Sequence, residues 1–558
     1  MPTRLSQFVP ALVKRRFQNR AEPLKRSESE RFPGVMMLAD VTGSTVLAEQ
    51  LLELSQHGPE ASELFMERLN TCFSIAIACI EQQGGDIVKF AGDGLLVLWP
   101  SDERGLRLSL QRAAQCGLEI QRALARHAEE TGLRLHMRVC ICAGDLLVAH
   151  LGGVYNRWEL LVTGAPMIQL SRCLSVGKPG KVTLSQEAYL LLSPKAVAQP
   201  LEPSEAQAVE LLEVQSPPPS MLPQGSSSIL EERALRAYIP AALVNQLRDL
   251  EPTWTVERRK VTTLFVHLPG LESLAAYRLD EAQEIVQTAQ HAIYEEEGTL
   301  LRLNADDKGV MLLVAFGLPP LSHEDDTIRA VRTALRLVYT LSKLGQPCSI
   351  GVTTGAPVCG IVGTTQRSEY ALVGETVHLA ARLCLASEYI LCDQETMREA
   401  RALIAFESLA PIVLKGRRQR EAVFSPLGIS SQVRHPPSPG LEVRTSRDQI
   451  RLDAMLMSRL DRLPATALLL LKVCSQLPEP FMLGQASALF PQTPPEGGLE
   501  ALWALLLQQG WLQGDPLSLR VSFADPRVRR ICAQLLTERQ RLQLLPPART
   551  SYSVEPLP

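Results

Sequence analysis

The chain contains two ordered copies of one pattern, and this duplication constrains its architecture more than any single motif. Four segments of the first half recur in the same order in the second half. "FVPALV" recurs as "YIPAALV", "VMMLADVTG" as "VTTLFVHLPG", "CICAGDLLVAHLGG" as "GVTTGAPVCGIVGT", and "LLVTGAPMIQLSRCL" as "ALVGETVHLAARLCL". The copies stay about 210 to 230 residues apart. Self-similarity of this kind predicts two tandem domains of one fold.

Each copy alternates strand-like and helix-like segments. The run "LRLSLQRAAQCGLEIQRALARHAEE" has helical periodicity, whereas "LHMRVCICAG" and "CSIGVTTG" resemble strands that end at glycine turns. The order in each copy is strand, helix, strand-turn-strand, helix, strand, turn, strand, helix. This order predicts an α+β sandwich, in which a mainly antiparallel sheet carries helices on one side.

Stretches rich in proline and serine predict the linkers between domains. They are "QSPPPSMLPQGSSS" between the copies and "SSQVRHPPSPG" after the second copy. Apolar helical runs follow, such as "LEALWALLLQQGWL". The predicted organisation is a basic lead-in at 1–31, a first domain at 32–200, a linker at 201–234, a second domain at 235–428, a linker at 429–445, a helical module at 446–546 and a tail at 547–558.

Composition narrows the classes of partner and compartment. The 558 residues include 57 basic and 60 acidic side chains, and the formal net charge of -3 gives no general attraction to nucleic acid. The 12 cysteines form no CxxC pair, which favours reduced thiols in the cytoplasm over a disulfide framework or a zinc site. No apolar run approaches the roughly 18 residues that cross a bilayer, so we expect a soluble chain.

Two aspartates of the first copy predict a metal site. "VKFAGDGLLVLW" resembles a hairpin whose turn contains Asp93, and Asp40 ends the apolar strand "VMMLAD". Taken alone, Asp93 is more often a turn residue and Asp40 can be a helix cap. If the strand and the hairpin are neighbours in one sheet, however, the two carboxylates converge at one edge. Two carboxylates with substrate phosphate oxygens suit Mg²⁺ and two-metal phosphoryl chemistry.

These segments resemble a known family. "LADVTGST" and "GGDIVKFAGDGLLVLW" are similar to the metal-binding segments of class III nucleotide cyclases, and "YALVGETVHLAARLC" is similar to their catalytic segment, VGxxVNxAAR. Tandem domains without membrane spans resemble the soluble, bicarbonate-responsive adenylyl cyclases of that family. The resemblance implies two ferredoxin-like domains packed head to tail, with one working site between them. It also implies a monomer whose two domains pair within one chain.

The resemblance assigns roles to individual residues. Asp40, Asp93 and the carbonyl of Val41 match the ligands of two Mg²⁺ or Mn²⁺ ions, and Arg382 matches the arginine that stabilises the transition state. His378 takes the place of the asparagine that orients the ribose. Positions matching the nucleotide contacts are Thr42, Gly43, Ser44, Thr45, Arg302 and Ala371.

The two copies differ in ways that matter for activity. The second copy has His267 where the first has Asp40, so we expect it to hold no metal itself. The implied reaction converts ATP to 3′,5′-cyclic AMP and pyrophosphate. The pseudo-symmetric second site matches the bicarbonate site of the soluble enzymes, with Lys89, Val162 and Arg172 as its candidates.

Alternatives to an active adenylyl cyclase remain open at this point. Because of His378 and Ala371, the chain could be a weakened pseudo-cyclase that binds nucleotide as a regulatory protein. "GGD" at 84–86 suggests a diguanylate cyclase palm, but it precedes the strand instead of lying in the turn. No G-x-x-x-x-G-K-[ST] run is present, so we expect a form without the ATPase module of long soluble cyclases.

Overall fold

The computed structural model of the chain describes the following residues: 4–19, 24–42, 58–102, 104–132, 136–193, 195–201, 207–221, 232–306, 308–414, 420–429, 452–514 and 520–544. They divide into two compact units. The first unit contains both copies of the repeat, and the second contains the C-terminal module with two segments from elsewhere in the chain.

The first copy is built on a mainly antiparallel sheet of eight strands among the described residues. Its central strand contains Val35, Met36 and Met37, which are all fully buried, as expected for an apolar run covered on both faces. The sheet runs in the order Asp86–Ala91, Gly94–Pro100, Glu28–Val41, Met137–Gly152, Val182–Ser185, Ala208–Val214 and Ala196–Pro200, with Trp158–Gly164 paired to Met137–Gly152. The helices of this copy are Gly58–Gln82, Leu106–Thr131, Ala165–Val176 and Gln186–Leu192.

The second copy repeats this plan with seven strands in its main sheet. Its order is Thr299–Asp306, Gly309–Phe316, Val261–Leu268, Ser349–Gly355, Ile390–Cys392, Phe424–Ile429 and Ile404–Ser408. Val358–Gly363 and Ser368–Val373 form a separate antiparallel pair. The helices of this copy are Leu271–Tyr277, Leu279–Glu295, Asp326–Lys343, Glu375–Ala386 and Gln394–Ala400. The predicted α+β class with two tandem domains is confirmed.

The two copies clasp each other reciprocally. An arm of the first copy, around Gly152, lies against the helix Leu279–Glu295 of the second, where the Gly152 N–H donates to Gln283 Oε1 at 2.8 Å. Conversely, the Gly363 N–H of the second copy's arm donates to Asn70 Oδ1 on the helix Gly58–Gln82 at 2.9 Å. The copies therefore pack head to tail, as the resemblance implied.

The segment predicted as a basic lead-in is part of the first unit. Its helix Ala11–Asn19 begins at the Asp86 carboxylate, which accepts hydrogen bonds from the backbone N–H groups of Ala11 at 2.8 Å and Leu12 at 2.5 Å. A carboxylate at a helix N-terminus satisfies otherwise unpaired donors. Asp86 of the "GGD" run is thus a helix cap, which agrees with rejecting the diguanylate cyclase palm as an alternative.

The predicted domain boundaries differ from the observed ones at both ends of the first copy. Its central strand already begins at Glu28, before the predicted start at 32. Its sheet continues past residue 200, because Ala208–Val214 pairs with Val182–Ser185. This strand, "AVELLEV", lay inside the predicted 201–234 linker, because the prolines and serines near it favoured a linker.

The C-terminal module is larger than the predicted 446–546. Its unit also includes 245–259 and 319–324, which the sequence assigned to the second domain at 235–428. The module has helices at 452–461, Ala465–Ser475, Leu483–Leu489, Gly498–Gln508, Pro526–Leu535 and Glu538–Leu544, and a two-stranded ribbon of Leu512–Gly514 and Val521–Phe523. The ribbon was not predicted.

A buried ionic network ties these segments into the module. Arg259 binds both Asp461 oxygens, at 2.6 and 2.7 Å, and pairs with Glu257 at 2.9 Å. Lys472 pairs with Glu257, and Ser322 donates to Asp461. Although burial opposes ionisation, Lys472 and Arg259 lower the pKa of Glu257 to about 2. The sequence could not reveal this network because its members lie far apart along the chain.

None of the described helices is both long and apolar enough to span a membrane. All twelve cysteines carry free thiols, as predicted from their spacing.

The ionic network makes a stability prediction. Replacing one buried partner, as in Asp461→Asn, leaves Arg259 with uncompensated charge and should cost about 3 to 5 kcal/mol in the module's free energy of unfolding. The matched control is Arg530→Gln, which breaks the more exposed pair with Asp453 and should cost at most about 1 kcal/mol. Urea unfolding monitored by tryptophan fluorescence makes the comparison. Equal losses in the two variants would contradict the assignment.

Candidate active site

The hairpin predicted around Asp93 is present, and it lies beside Asp40. Its strands are Asp86–Ala91 and Gly94–Pro100, with Gly92 at φ +69° in the turn, a conformation that favours glycine. In the neighbouring strand Asp40 lies opposite Gly94, and the N–H of Val41 donates to the carbonyl of Asp93 at 3.0 Å. The two carboxylates therefore share one edge of the sheet.

The charges of these aspartates act on each other. Burial, together with the nearby charge of Asp93, raises the pKa of the Asp40 carboxyl to about 6. Arg138 opposes this shift, since its guanidinium pairs with Asp40 Oδ2 at 2.6 Å. Sequence analysis missed Arg138, because only the strand register places it opposite Asp40.

The donor set fits a hydrated divalent cation completed by substrate. Among the described residues, no group of three or more His, Cys, Asp or Glu side chains forms a metal cluster. Mg²⁺ commonly takes only one or two carboxylates and fills its remaining positions with water and phosphate oxygens. Two mutually repelling carboxylates at a strand edge match that requirement.

The predicted phosphate-binding stretch is described only at its start. The N–H and hydroxyl of Thr42 both donate to the carbonyl of His136, each at 2.9 Å. Gly43, Ser44 and Thr45 lie outside the described residues.

The strand register places His267 of the second copy at the position that Asp40 has in the first, so the second copy has no carboxylate there. His267 lies opposite Ser349, at the position that Asp40 occupies opposite Arg138. In the first copy Asp40 lies opposite Gly94, the residue that follows the hairpin turn. His267 lies opposite Met311 instead, because the second hairpin is longer and turns only at Asp306–Gly309. His267 Nε2 bonds the Lys308 carbonyl at 2.7 Å.

The catalytic candidates of the second copy lie on one helix, and His378 among them interacts electrostatically with Asp93 of the first copy's hairpin. His378 and Arg382 lie on the helix Glu375–Ala386. Burial lowers the pKa of His378; Asp93 opposes this, whereas Arg382 and Arg302 reinforce it. Arg382 makes no hydrogen bond or ion pair with the described residues. The interface thus gathers the first copy's Asp93 and three side chains of the second copy.

The predicted base-reading positions have unequal chemistry. Arg302 Nη1 donates to the Phe90 carbonyl at 2.5 Å and lies 3.5 Å from Glu369 Oε1. Ala371, on the strand Ser368–Val373, is buried and offers no side-chain hydrogen bond. Glu369 was missed by sequence analysis, although it lies on the same strand two residues earlier.

The candidates for the bicarbonate site are only partly brought together. Burial lowers the pKa of Lys89 to about 8, against the charges of Glu159 and Glu369. Val162 is buried in the strand Trp158–Gly164. Arg172 is not among the charges that act most strongly on Lys89.

A repeated Arg-x-Glu pattern surrounds these residues. Arg157 and Glu159 of the first copy form an ion pair at 3.0 Å. Arg367 and Glu369 stand 210 residues later, at matching positions of the repeat. Extending the repeat alignment from "LLVTG" and "ALVG" by a few residues toward the N-terminus would have found them.

A comparison with family models matches residues 28–213 to the adenylate and guanylate cyclase catalytic domain. These bounds agree with the first copy's sheet, which begins at Glu28 and ends at Val214. Residues 28–213 are therefore similar to the catalytic domain of the nucleotide cyclases. The Asp40 and Asp93 edge lies within the matched cyclase domain, whereas His378 and Arg382 lie in the second copy.

Curated relatives extend the similarity over both copies. The chain is 26% identical over 442 residues to rabbit (Oryctolagus cuniculus) adenylate cyclase type 10, covering 73% of this chain and 27% of that protein. It is likewise 26% identical over 431 residues to the human protein, covering 70% and 26%. The chain therefore spans only about a quarter of the length of these relatives.

Solved structures that match part of the chain include a class III adenylyl cyclase-like ATP-binding protein from Pseudomonas aeruginosa. It is 14% identical with a TM-score of 0.44, and the match covers 72% of this chain and 94% of that one. The adenylyl cyclase CyaB from the same organism is 21% identical with a TM-score of 0.29, covering 33% and 98%.

The repulsion between Asp40 and Asp93 makes a prediction that does not depend on turnover. Asp93→Asn removes the charge that raises the pKa of Asp40, so the free energy of unfolding in EDTA should rise by about 1 kcal/mol. The variant should also lose most of the stabilisation that Mn²⁺ with ATP gives the wild type. Thermal unfolding with and without these ligands provides the measurement, with the exposed Asp145→Asn as control. A less stable variant in EDTA would argue against mutual repulsion.

Proposed function

We propose that the chain is an adenylate cyclase whose single working site lies between its two copies. The observation that carries the proposal is that the second copy reaches the Asp93 hairpin of the first: Arg302 donates to the Phe90 carbonyl at 2.5 Å, and His378 interacts electrostatically with Asp93. One copy supplies the carboxylates, and the other supplies the cationic and ribose-side groups. Neither copy contains both sets.

The proposed reaction is an intramolecular displacement. The ribose 3′-oxygen forms a bond to the α-phosphorus of ATP, the bond from that phosphorus to the bridging oxygen breaks, and pyrophosphate leaves. The proton of the 3′-hydroxyl is lost in the same process. The products are 3′,5′-cyclic AMP and pyrophosphate.

The proposed roles follow from charge and position. Asp40, Asp93 and the Val41 carbonyl would hold two Mg²⁺ or Mn²⁺ ions, which supply activation of the 3′-oxygen and neutralisation of the triphosphate. Arg382 has no competing protein partner among the described residues, so its planar fork is available for phosphate oxygens. His378 has a lowered pKa and is thus neutral near pH 7, able to exchange one hydrogen bond with the ribose.

A second candidate function is supported by the base-reading positions. Ala371 presents no polar group, and Arg302 is already bonded to Phe90 and lies beside Glu369. A site with these features could bind nucleotide and turn it over slowly, which describes a regulatory pseudo-cyclase. Assaying purified protein with ATP and with GTP, each with Mg²⁺ and Mn²⁺, distinguishes the two functions.

The interface model predicts a specific loss of activity. Arg382→Ala should lower kcat about a hundredfold or more, because it removes a charge that stabilises the transition state. The matched control is Arg172→Ala, which alters the equivalent position of the first copy and should keep most activity when bicarbonate is absent. Cyclic AMP production under saturating ATP and Mn²⁺ measures both. Similar losses in the two variants would place the transition state away from Arg382.

We also propose bicarbonate regulation through Lys89, in a cytoplasmic monomer. Lys89 is buried at the interface, where two glutamates and two arginines interact with it electrostatically. An anion such as bicarbonate would interact with the positive charge of Lys89 there. Val162 and Arg172 would complete that site.

The bicarbonate proposal predicts both a mutational and a pH effect. Lys89→Met should reduce the ratio of activities with and without bicarbonate to about one, whereas Lys181→Met, at a half-exposed lysine paired with Glu210, should not change the ratio. Since the pKa of Lys89 is lowered to about 8, its positive charge is lost as pH rises, and the response should weaken through about pH 8. An unchanged ratio in Lys89→Met would remove Lys89 from the site.

A further inference from the structure

The metal hairpin of the first copy ends its sheet on an edge strand. This strand, Asp86–Ala91, pairs only with Gly94–Pro100 within its sheet. An edge strand carries backbone donors and acceptors that its own sheet does not satisfy. At Phe90 both backbone groups are bonded instead by side chains of the second copy.

The contacts at Phe90 come from two charged residues. Glu369 Oε2 accepts a hydrogen bond from the Phe90 N–H at 3.2 Å, and Arg302 Nη1 donates to the Phe90 carbonyl at 2.5 Å. Glu369 and Arg302 are themselves 3.5 Å apart. The second copy thus holds the backbone of one residue of the first copy through both its N–H and its carbonyl group.

The side chain of Phe90 is fixed as well. It is fully buried and packs edge to face on Phe73 at 5.4 Å between centroids. The Arg367 guanidinium lies 5.4 Å from the ring centroid, and its Nε donates to the Ile87 carbonyl at 2.8 Å. Phe90 cannot shift easily, so its backbone is a rigid reference point for the turn that follows.

Phe90 is three residues from Asp93. A short hairpin transmits the position of its strand to its turn, because the ladder with Gly94–Pro100 fixes the register between them. The same strand pair of the second copy that bears Glu369 leads directly into the helix with His378 and Arg382. Glu369 therefore links the hairpin that contains Asp93 to the strand that leads into the helix with His378 and Arg382.

We propose that Glu369 is a positioning residue, which sets Asp93 of the first copy in register with Arg382 of the second by holding the Phe90 peptide and orienting Arg302. The expected change in kcat rests on the proposed function, whereas the expected change in the position of the hairpin does not. A misplacement of about one ångström between reacting groups can cost on the order of a hundredfold in rate. A single interface contact of this kind accounts for a smaller part of that loss.

The test compares Glu369→Ala and Glu369→Gln with the exposed Glu407→Gln in the full chain. Hydrogen exchange of the segment 86–94 reports the Phe90 N–H directly. Loss of one hydrogen bond should speed its exchange about tenfold in Glu369→Ala. Glu369→Gln keeps an acceptor oxygen and should retain most protection while losing the charge beside Arg302.

Two further measurements address positioning. The affinity for Mn²⁺ in the presence of ATP should fall about tenfold in Glu369→Ala, because Asp93 is no longer held in place. At saturating Mn²⁺ and ATP, kcat should fall about tenfold with the KM for ATP within about twofold, since saturating Mn²⁺ fills the weakened metal site and the remaining positional change affects the transition state more than nucleotide binding. Glu369→Gln should show the same direction with a smaller change, and Glu407→Gln should match the wild type.

Each outcome decides the proposal. Unchanged exchange at 86–94 in Glu369→Ala overturns it, and so does faster exchange with unchanged Mn²⁺ affinity. A wild type that converts neither ATP nor GTP defeats the proposed function, yet exchange and Mn²⁺ affinity still decide the role of Glu369. If Glu369→Ala does not fold, Glu369→Gln decides through Mn²⁺ affinity, which must be lower than in the wild type.

Discussion

The reciprocal clasp between the two copies is the constraint on which the rest of the first unit depends. Gly152 of the first copy exchanges hydrogen bonds with Gln283 and also accepts from Gln287, so a backbone arm is held by amide side chains of a helix. Apolar residues of the same arm, among them Leu147 and Leu161, are part of the second copy's hydrophobic core. Separating the copies would expose this core surface and leave the arm's buried backbone groups unpaired. Each copy is thus incomplete without the other.

The short segments that precede each copy strengthen the same clasp. Arg367 of the second copy donates to the carbonyl of Gln7, and Arg157 of the first copy donates to the carbonyl of Ala237. Gln7 and Ala237 stand immediately before the repeated "FVPALV" and "YIPAALV" segments. Each copy therefore binds the segment that leads into the other, which gives a structural reason for a repeat that extends beyond the domains themselves.

On this symmetric scaffold, function depends on the positions where the copies differ. Asp40 and His267 occupy matching positions, so only the first copy has a carboxylate there for the metal site that we propose. The pair Ile168 and His378 gives only one helix a group that can bond a ribose. By contrast, Arg172 and Arg382 are the same residue type at matching positions, so the difference between the two sites comes from their neighbours. A duplicated chain can in this way keep one catalytic site and leave its pseudo-symmetric partner available for another ligand.

Sequence reasoning predicted those features that depend on local pattern. The duplication, the α+β class, the Asp93 hairpin and its neighbour Asp40 could all be inferred from periodicity, turn residues and the resemblance. Arg138, Glu369 and the Arg259 network could not, because each depends on a strand register or on contacts between segments more than 60 residues apart. The predicted end of the first domain at residue 200 came too early, because the prolines near the strand Ala208–Val214 favoured a linker there.

The interface between the copies buries charged side chains of both signs. Lys89, Arg157, Arg302 and Arg367 lie there with the carboxylates of Glu159 and Glu369, and Asp86 also acts on Arg367. Burial disfavours the charged form of Lys89, and this is the main cause of its lowered pKa. An anion bound beside Lys89 would favour the charged form and so lower that cost. An anionic ligand at the site that we propose for bicarbonate should therefore stabilise the folded chain, because it binds the native interface and not the unfolded chain.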